Sequence, residues 1–152
     1  MIVFDGGNDL FAIDADVLVN PVNTVGVMGA GLALEFKKRY PQVYEQYRAA
    51  CKLGNVKLGR IYVLRDGATL IAHLPTKRHW RDVSTLGDVG DGLADLAVFL
   101  RQLARQEQSK RLVVGLPAVG CGLGGLAWPD VRKVTEDTFH GVECDIHVFA
   151  PQ

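Results

Sequence analysis

Residues 16–40 read DVLVNPVNTVGVMGAGLALEFKKRY. The first five, DVLVN, are a short β-branched run ending in a polar residue, the pattern of a buried strand. GVMGAG, residues 26–31, breaks the apolar run with glycine, and LALEFKKRY then has helical character until Pro41. The stretch predicts a strand, a glycine-rich loop and a helix. Such a loop is costly, because glycine loses more conformational freedom on folding than any other residue. The cost is intelligible where the backbone itself touches something.

A second stretch has the same grammar. RLVVGLPAV, residues 111–119, is a continuous apolar strand, and GCGLGG, residues 120–125, holds four glycines in six positions. PDVRKVTEDTF, following Trp128, suits a helix with proline in its first turn. Between the two stretches, a helix is expected from about Gln42 to Lys52, closed by Gly54. RIYVLRD (60–66) and ATLIAHL (68–74) read as two strands joined by a turn at Asp66-Gly67. From about Asp88 to Gln106, Leu93, Leu96, Ala97, Leu100, Leu103 and Ala104 recur at helical spacing on one apolar face. CDIHVFA (144–150) closes the chain as a strand. Strands alternating with helices predict an α/β layered domain with a mixed, mostly parallel sheet.

Composition narrows the function. The 152 residues fit one domain with a sizeable core. Seventeen basic and seventeen acidic residues cancel, so no global field recruits nucleic acid and any such contact must come from a local patch. Cys51, Cys121 and Cys144 are an odd number without metal-ligand spacing, which predicts neither a disulfide framework nor a zinc site. His73, His140 and His147 form no metal motif either, and are expected to be core or surface residues. The N-terminus has no basic segment leading into an apolar one, and no run of about 18 apolar residues follows. The expectation is a soluble cytoplasmic protein with no membrane partner.

In open α/β sheets ligands gather beyond the carboxyl ends of strands. Three unusual segments are expected there: NPVNTVGVMGAG, PTKRHWR after the strand ending near Leu74, and GCGLGG. Two glycine-rich loops can bring main-chain N–H groups against an anion, and a helix N-terminus adds roughly 0.3 to 1 kcal/mol per favourable contact. Two loops suit an extended anion such as a diphosphate. Neither has the ending of a P-loop, and only GCGLGG has the glycine spacing GxGxxG. The alternative reading is that both are merely tight connections.

NPVNTVGVMGAGLALEFKKRYP, LPTKRHWR and VGCGLGGLAW together resemble the macrodomain family, the ADP-ribose-binding α/β fold, and within it the DarG-like DNA ADP-ribosyl glycohydrolases. Those antitoxins remove ADP-ribose that the toxin DarT places on DNA. The resemblance covers nearly the whole chain and implies a three-layer fold over residues 1–152, with helices on both faces of the sheet. Members of that subgroup continue into a toxin-binding domain, so the chain is expected to be one domain of such a protein or a stand-alone relative, and the residues here identify no toxin partner. The resemblance makes Asp9 the carboxylate that accepts from the adenine amino group, where the alternative is a turn or cap residue. Leu10, Asn20, Met28, Gly29 and Gly31 are implied in ADP-ribose binding, with Asn23 facing the distal ribose as a catalytic residue. Gly120, Cys121, Gly122, Leu123, Gly124 and Gly125 would wrap the diphosphate. Cys121 has no adjacent histidine in sequence and reads as a small packed thiol rather than a nucleophile. Gly124→Glu is expected to block the diphosphate without unfolding the domain, unless Gly124 has positive φ.

Lys77 corresponds to the catalytic lysine of this subgroup. Neighbouring Arg78, His79 and Arg81, with partial burial, would disfavour its charged form. A neutral amine can attack the anomeric carbon of the distal ribose; a charged one can protonate the leaving group. The residues leave both roles open. Arg78, His79, Trp80 and Arg81 are candidate nucleic-acid contacts, Trp80 by stacking on a base; otherwise such a run is a solvated face. Trp128 is expected to pack at a helix start. Relatives that cleave ADP-ribose from protein carboxylates carry an aspartate where this chain has Gly124, which favours ADP-ribosylated DNA over ADP-ribosylated protein as substrate. No cofactor or metal is implied. The competing functions are release of ADP-ribose from DNA bases, hydrolysis of ADP-ribosyl esters on protein, and non-catalytic reading of ADP-ribose.

Overall fold

Six strands form one sheet in the order β1-β6-β5-β2-β4-β3 in the computed structural model, which describes residues 1–4 and 9–151. They are β1 (Ile2–Phe4), β2 (Val17–Asn23), β3 (Tyr62–Asp66), β4 (Thr69–Lys77), β5 (Val113–Pro117) and β6 (Asp145–Phe149). All pairings are parallel except that of the edge strand β3 with β4. The helices are α1 (Gly31–Arg39), α2 (Pro41–Lys52), α3 (Leu86–Gln106) and α4 (Trp128–Phe139).

Alternation along the central strands sends side chains to two cores. Val17 and Val19 of β2, with Ala72 and Leu74 of β4, pack with Val89, Leu93, Leu96 and Leu100 of α3 and Val131 and Phe139 of α4. Leu18 and Ile71 face the other way, onto Phe36 of α1 and Val43 of α2. Each fully buried side chain of this kind contributes about 1.5 to 3 kcal/mol. Helices therefore cover both faces, and the fold has the expected three layers. Trp128, the first residue of α4, packs edge-on against Phe4 with ring centroids 6.3 Å apart.

Four details differ from expectation. Nothing in the periodicity before Val17 predicts β1, a strand of only three residues whose pairing with Ile146–Val148 creates it. The hairpin turns at Gly67-Ala68 rather than Asp66-Gly67, because Asp66 pairs with Thr69 and Gly67 supplies the positive φ of +58°. Helix α3 starts at Leu86, where Thr85 accepts from the Asp88 N–H at 3.1 Å. Finally, β2 and β4 each run three residues further than expected, to Asn23 and Lys77.

Candidate functional site

The carboxyl ends of β2, β4, β5 and β6 open into a cleft of about 1190 Å³. Asp9, Leu10, Asn23, Gly29, Gly31, Lys77, Trp80, Gly120, Gly122, Leu123 and Gly124 all line it. Asn20 and Met28 do not; both are buried behind the wall, the Asn20 amide 3.9 Å from the Met28 sulfur. Cys121, Gly125, Arg78, His79 and Arg81 are likewise outside the lining. Phe11, Arg39, Thr76, Phe149 and Pro151 join it without any local sequence signal, since only the packing of distant elements brings them there.

Asp9 is exposed and caps a short 3-10 turn, Leu10–Ala12, its carboxylate accepting from the Phe11 N–H at 3.0 Å. Capping and cleft lining thus coexist. The turn sits close on the sheet because β5 has a glycine beneath it. A Cβ on Gly115 would stand 2.8 Å from Leu10 and 2.9 Å from Leu18.

The catalytic candidates meet across two strands. Val22 pairs with Pro75, but Asn23 pairs with Lys77, so Thr76 is an extra residue in β4. Such a bulge re-aims the side chains beyond it. Here it sets Lys77 opposite Asn23 at the cleft. Lys77 is half-buried and makes no ion pair among the described residues.

Asn23 braces its own loop. Its Oδ1 accepts from the N–H groups of Val25 (3.2 Å), Gly26 (3.2 Å) and Val27 (3.3 Å), and its Nδ2 donates to the Val27 carbonyl at 2.8 Å. Behind it Tyr47 stacks on His73, the rings 5.2 Å apart and 12° from parallel. Burial pushes the His73 imidazole down to about 4, so the ring is neutral. Its Nδ1 lies 2.9 Å from the Tyr62 carbonyl and therefore carries the proton.

The second loop has no such brace. The Cys121, Gly125 and Leu126 N–H groups bond to carbonyls of the loop itself, whereas those of Gly120, Gly122, Leu123 and Gly124 have no partner among the described residues. Gly124 lacks positive φ. Even so, a Cβ there would stand 2.5 Å from both the Gly120 carbonyl oxygen and Ser84 Oγ. This corrects the expectation that Gly124→Glu leaves the fold intact: the first added carbon already strikes the loop backbone. Cys121 is half-buried, burial raises its thiol pKa, and its Sγ lies 3.8 Å from the Val119 carbonyl. That is a packed thiol.

The cationic segment is tied to both loops. Thr24 donates to the Arg78 carbonyl through N–H (3.0 Å) and Oγ1 (3.1 Å), and the Ser84 N–H donates to the Gly124 carbonyl at 2.9 Å. Between these ties the His79 N–H bonds to Asp82 at 3.0 Å and the Arg81 guanidinium lies 5.1 Å from the Trp80 ring centre. Trp80, 52% exposed, is the member of this group that reaches the cleft. His140 is exposed and His147 half-buried; no cluster of His, Cys, Asp or Glu fit for a metal exists among the described residues. None of the described helices is long and apolar enough to cross a membrane.

A mixed α/β sheet whose strands end, at their carboxyl edge, in a cleft beside main-chain N–H groups unpartnered among the described residues has the architecture of the open α/β ligand-binding folds. The chain belongs to the macrodomain family: the Macro domain family model matches residues 19–135. It is 40% identical over 151 residues to a DNA ADP-ribosyl glycohydrolase of Mycobacterium tuberculosis, an alignment covering 96% of this chain and 41% of that protein. It thus spans about two fifths of the length of the curated relative. The solved macrodomain of M. tuberculosis DarG superposes with a TM-score of 0.87 at 38% identity, covering 100% of this chain and 99% of that one. A Thermosipho africanus DarTG structure in complex with ADP-ribose matches with a TM-score of 0.79 at 32% identity, over 94% of this chain and 40% of that one.

Proposed function

We propose that this domain is an ADP-ribosyl glycohydrolase that releases ADP-ribose from modified DNA bases. The observation that carries the reading is the bulge at Thr76, which sets Lys77 opposite Asn23 at one end of the cleft. The four N–H groups of the second loop that have no partner among the described residues supply a site for the diphosphate, and Asp9 lies at the rim for the adenine amino group. A hydrogen bond to such a charged group contributes roughly 1.5 to 3 kcal/mol.

In the reaction, water adds to the anomeric carbon of the distal ribose. The bond from that carbon to the base breaks, and the base leaves with a proton. Lys77 serves this step in one of two ways, donating the proton to the leaving base or attacking first as a neutral amine. Borohydride trapping separates the routes, because only the second leaves a reducible lysine adduct. Neither route uses a cofactor or metal.

DNA is favoured over protein esters by Gly124. The family resemblance implies an acid at this place in relatives that cleave the esters, whereas the loop here has no room for even a Cβ. Trp80, flanked by Arg78, His79 and Arg81, is the contact proposed for the flanking nucleic acid. The deciding experiment incubates the protein with ADP-ribosylated DNA and ADP-ribosylated protein in parallel and measures free ADP-ribose. Release from DNA supports the proposal, and release from protein alone favours the ester hydrolase. Binding of ADP-ribose without release from either identifies a reader.

A further inference from the structure

Tyr47 lies on α2, wholly buried and outside the cleft lining. Its hydroxyl donates to the Asn23 carbonyl oxygen at 2.8 Å and sits 3.1 Å from Asn23 Oδ1. Burial pushes the phenol far above its ordinary range, so it stays protonated and acts as a donor at any working pH.

Asn23 Oδ1 sits among three main-chain N–H donors, with the Tyr47 hydroxyl oxygen close beside it, while its Nδ2 faces the Val27 carbonyl. Exchanging the two ends of the amide would place an NH2 group against those donors and an oxygen against a carbonyl. The amide therefore has one orientation. One N–H of Nδ2 remains, and Asn23 is a cleft residue. The side-chain oxygen is thus spent on the loop, and the remaining N–H is the polar hydrogen the amide has left.

We propose that Tyr47 is a positioning residue: by holding the Asn23 main-chain carbonyl, its hydroxyl keeps the side-chain amide placed with its free N–H turned toward the ligand's ribose oxygens. The pieces that hold Tyr47 are themselves fixed. Its ring is stacked on neutral His73, and that imidazole is anchored on the Tyr62 carbonyl. Tyr47 touches no reacting atom and acts only through Asn23. The inference rests on the proposed function for its effect on rate, but its structural content is independent of it.

Tyr47→Phe keeps the ring and the stack and removes one donor. The expected result is a ten- to hundredfold lower single-turnover rate on ADP-ribosylated DNA, with affinity for free ADP-ribose changed less than threefold. Hydrogen exchange at the Val25, Gly26 and Val27 amides should quicken. Combining Tyr47→Phe with Asn23→Ala should slow the reaction no more than Asn23→Ala alone, which a merely structural role would not produce. A 4-aminophenylalanine at position 47 restores a donor and should recover the rate, even if Tyr47→Phe proves too unstable to assay. Wild-type rate and wild-type exchange in Tyr47→Phe overturn the proposal, as does failure of the amino analogue to restore both. If the wild type releases ADP-ribose from neither DNA nor protein, the proposed function fails on its own, and exchange at residues 25–27 decides the role of Tyr47.

Discussion

The two glycine-rich loops look alike as sequence and are built on opposite plans. The loop after β2 is organised by a side chain: Asn23 consumes the N–H groups of residues 25–27 and is itself backed by Tyr47. The loop after β5 is organised by its own carbonyls and leaves the N–H groups of Gly120, Gly122, Leu123 and Gly124 unpartnered among the described residues. Glycine content alone therefore does not identify an anion site; what counts is whether the donors are already spent. The first loop presents an oriented amide, and the second presents bare main chain.

The sharpest way to separate the two plans is to remove the chemistry from the first without touching the second. Lys77→Ala should lower the single-turnover rate by about a hundredfold to ten-thousandfold, the range of a positioned proton-transfer group. Affinity for ADP-ribose should fall less than about tenfold, since one partly exposed cation contributes about 1 kcal/mol. Equal rates in wild type and variant would remove Lys77 from the mechanism.

Acid should reach the braced loop through its support. His73 is neutral in the fold, with its pKa held at about 4 by burial. In the unfolded chain it titrates near 6.5, so the unfolded state takes the proton first. Stability is then full above about pH 6.5 and falls by about 3 kcal/mol as the pH drops to about 4. Urea midpoints at several pH values check this, and His73→Asn should flatten the slope. The same slope in both proteins would show that another group carries the acid sensitivity.

Much of this organisation is legible in the chain before any coordinates. The β2–loop–α1 and β5–loop–α4 units follow from apolar runs, glycines and prolines that act locally, and so does the apolar face of α3. The bulge at Thr76 is a matter of register between two strands, which neither strand's own pattern encodes. Tyr47 reads as one more apolar helix residue, because only the fold brings its hydroxyl to Asn23, 24 positions away. Ser84 carries no signal either; its significance comes from the space a Gly124 side chain would need. Local chemistry marked the loops, and long-range geometry decided what each one does.

The second loop can be broken more simply than expected. Gly124→Ala adds one carbon against the Gly120 carbonyl and Ser84, and overpacking of this kind costs about 1 to 3 kcal/mol. Calorimetry should show weakened ADP-ribose binding together with a lower melting temperature. A stable variant with full affinity would mean the loop yields without cost. The smallest effect is expected at the exposed rim. Asp9→Ala should weaken ADP-ribose binding by about ten- to a hundredfold, toward the lower figure because the carboxylate is open to solvent and already caps the Phe11 N–H. Unchanged affinity would remove Asp9 from the adenine site.

The segment from Arg78 to Ser84 behaves as a span with both abutments fixed, one on Thr24 and one on Gly124. The side chains of Arg78, Trp80 and Arg81 project from the span and can be exchanged, whereas those of His79 and Asp82 tie its backbone and Ser84 is buried against the second loop. The span's length cannot change so easily, since an inserted residue must either buckle outward or push one abutment away from the cleft. Diversification of acceptor recognition at this rim should therefore proceed by substitution at positions such as Arg78, Trp80 and Arg81. Engineering that seeks a new acceptor by lengthening the segment would loosen the second glycine loop before it altered specificity.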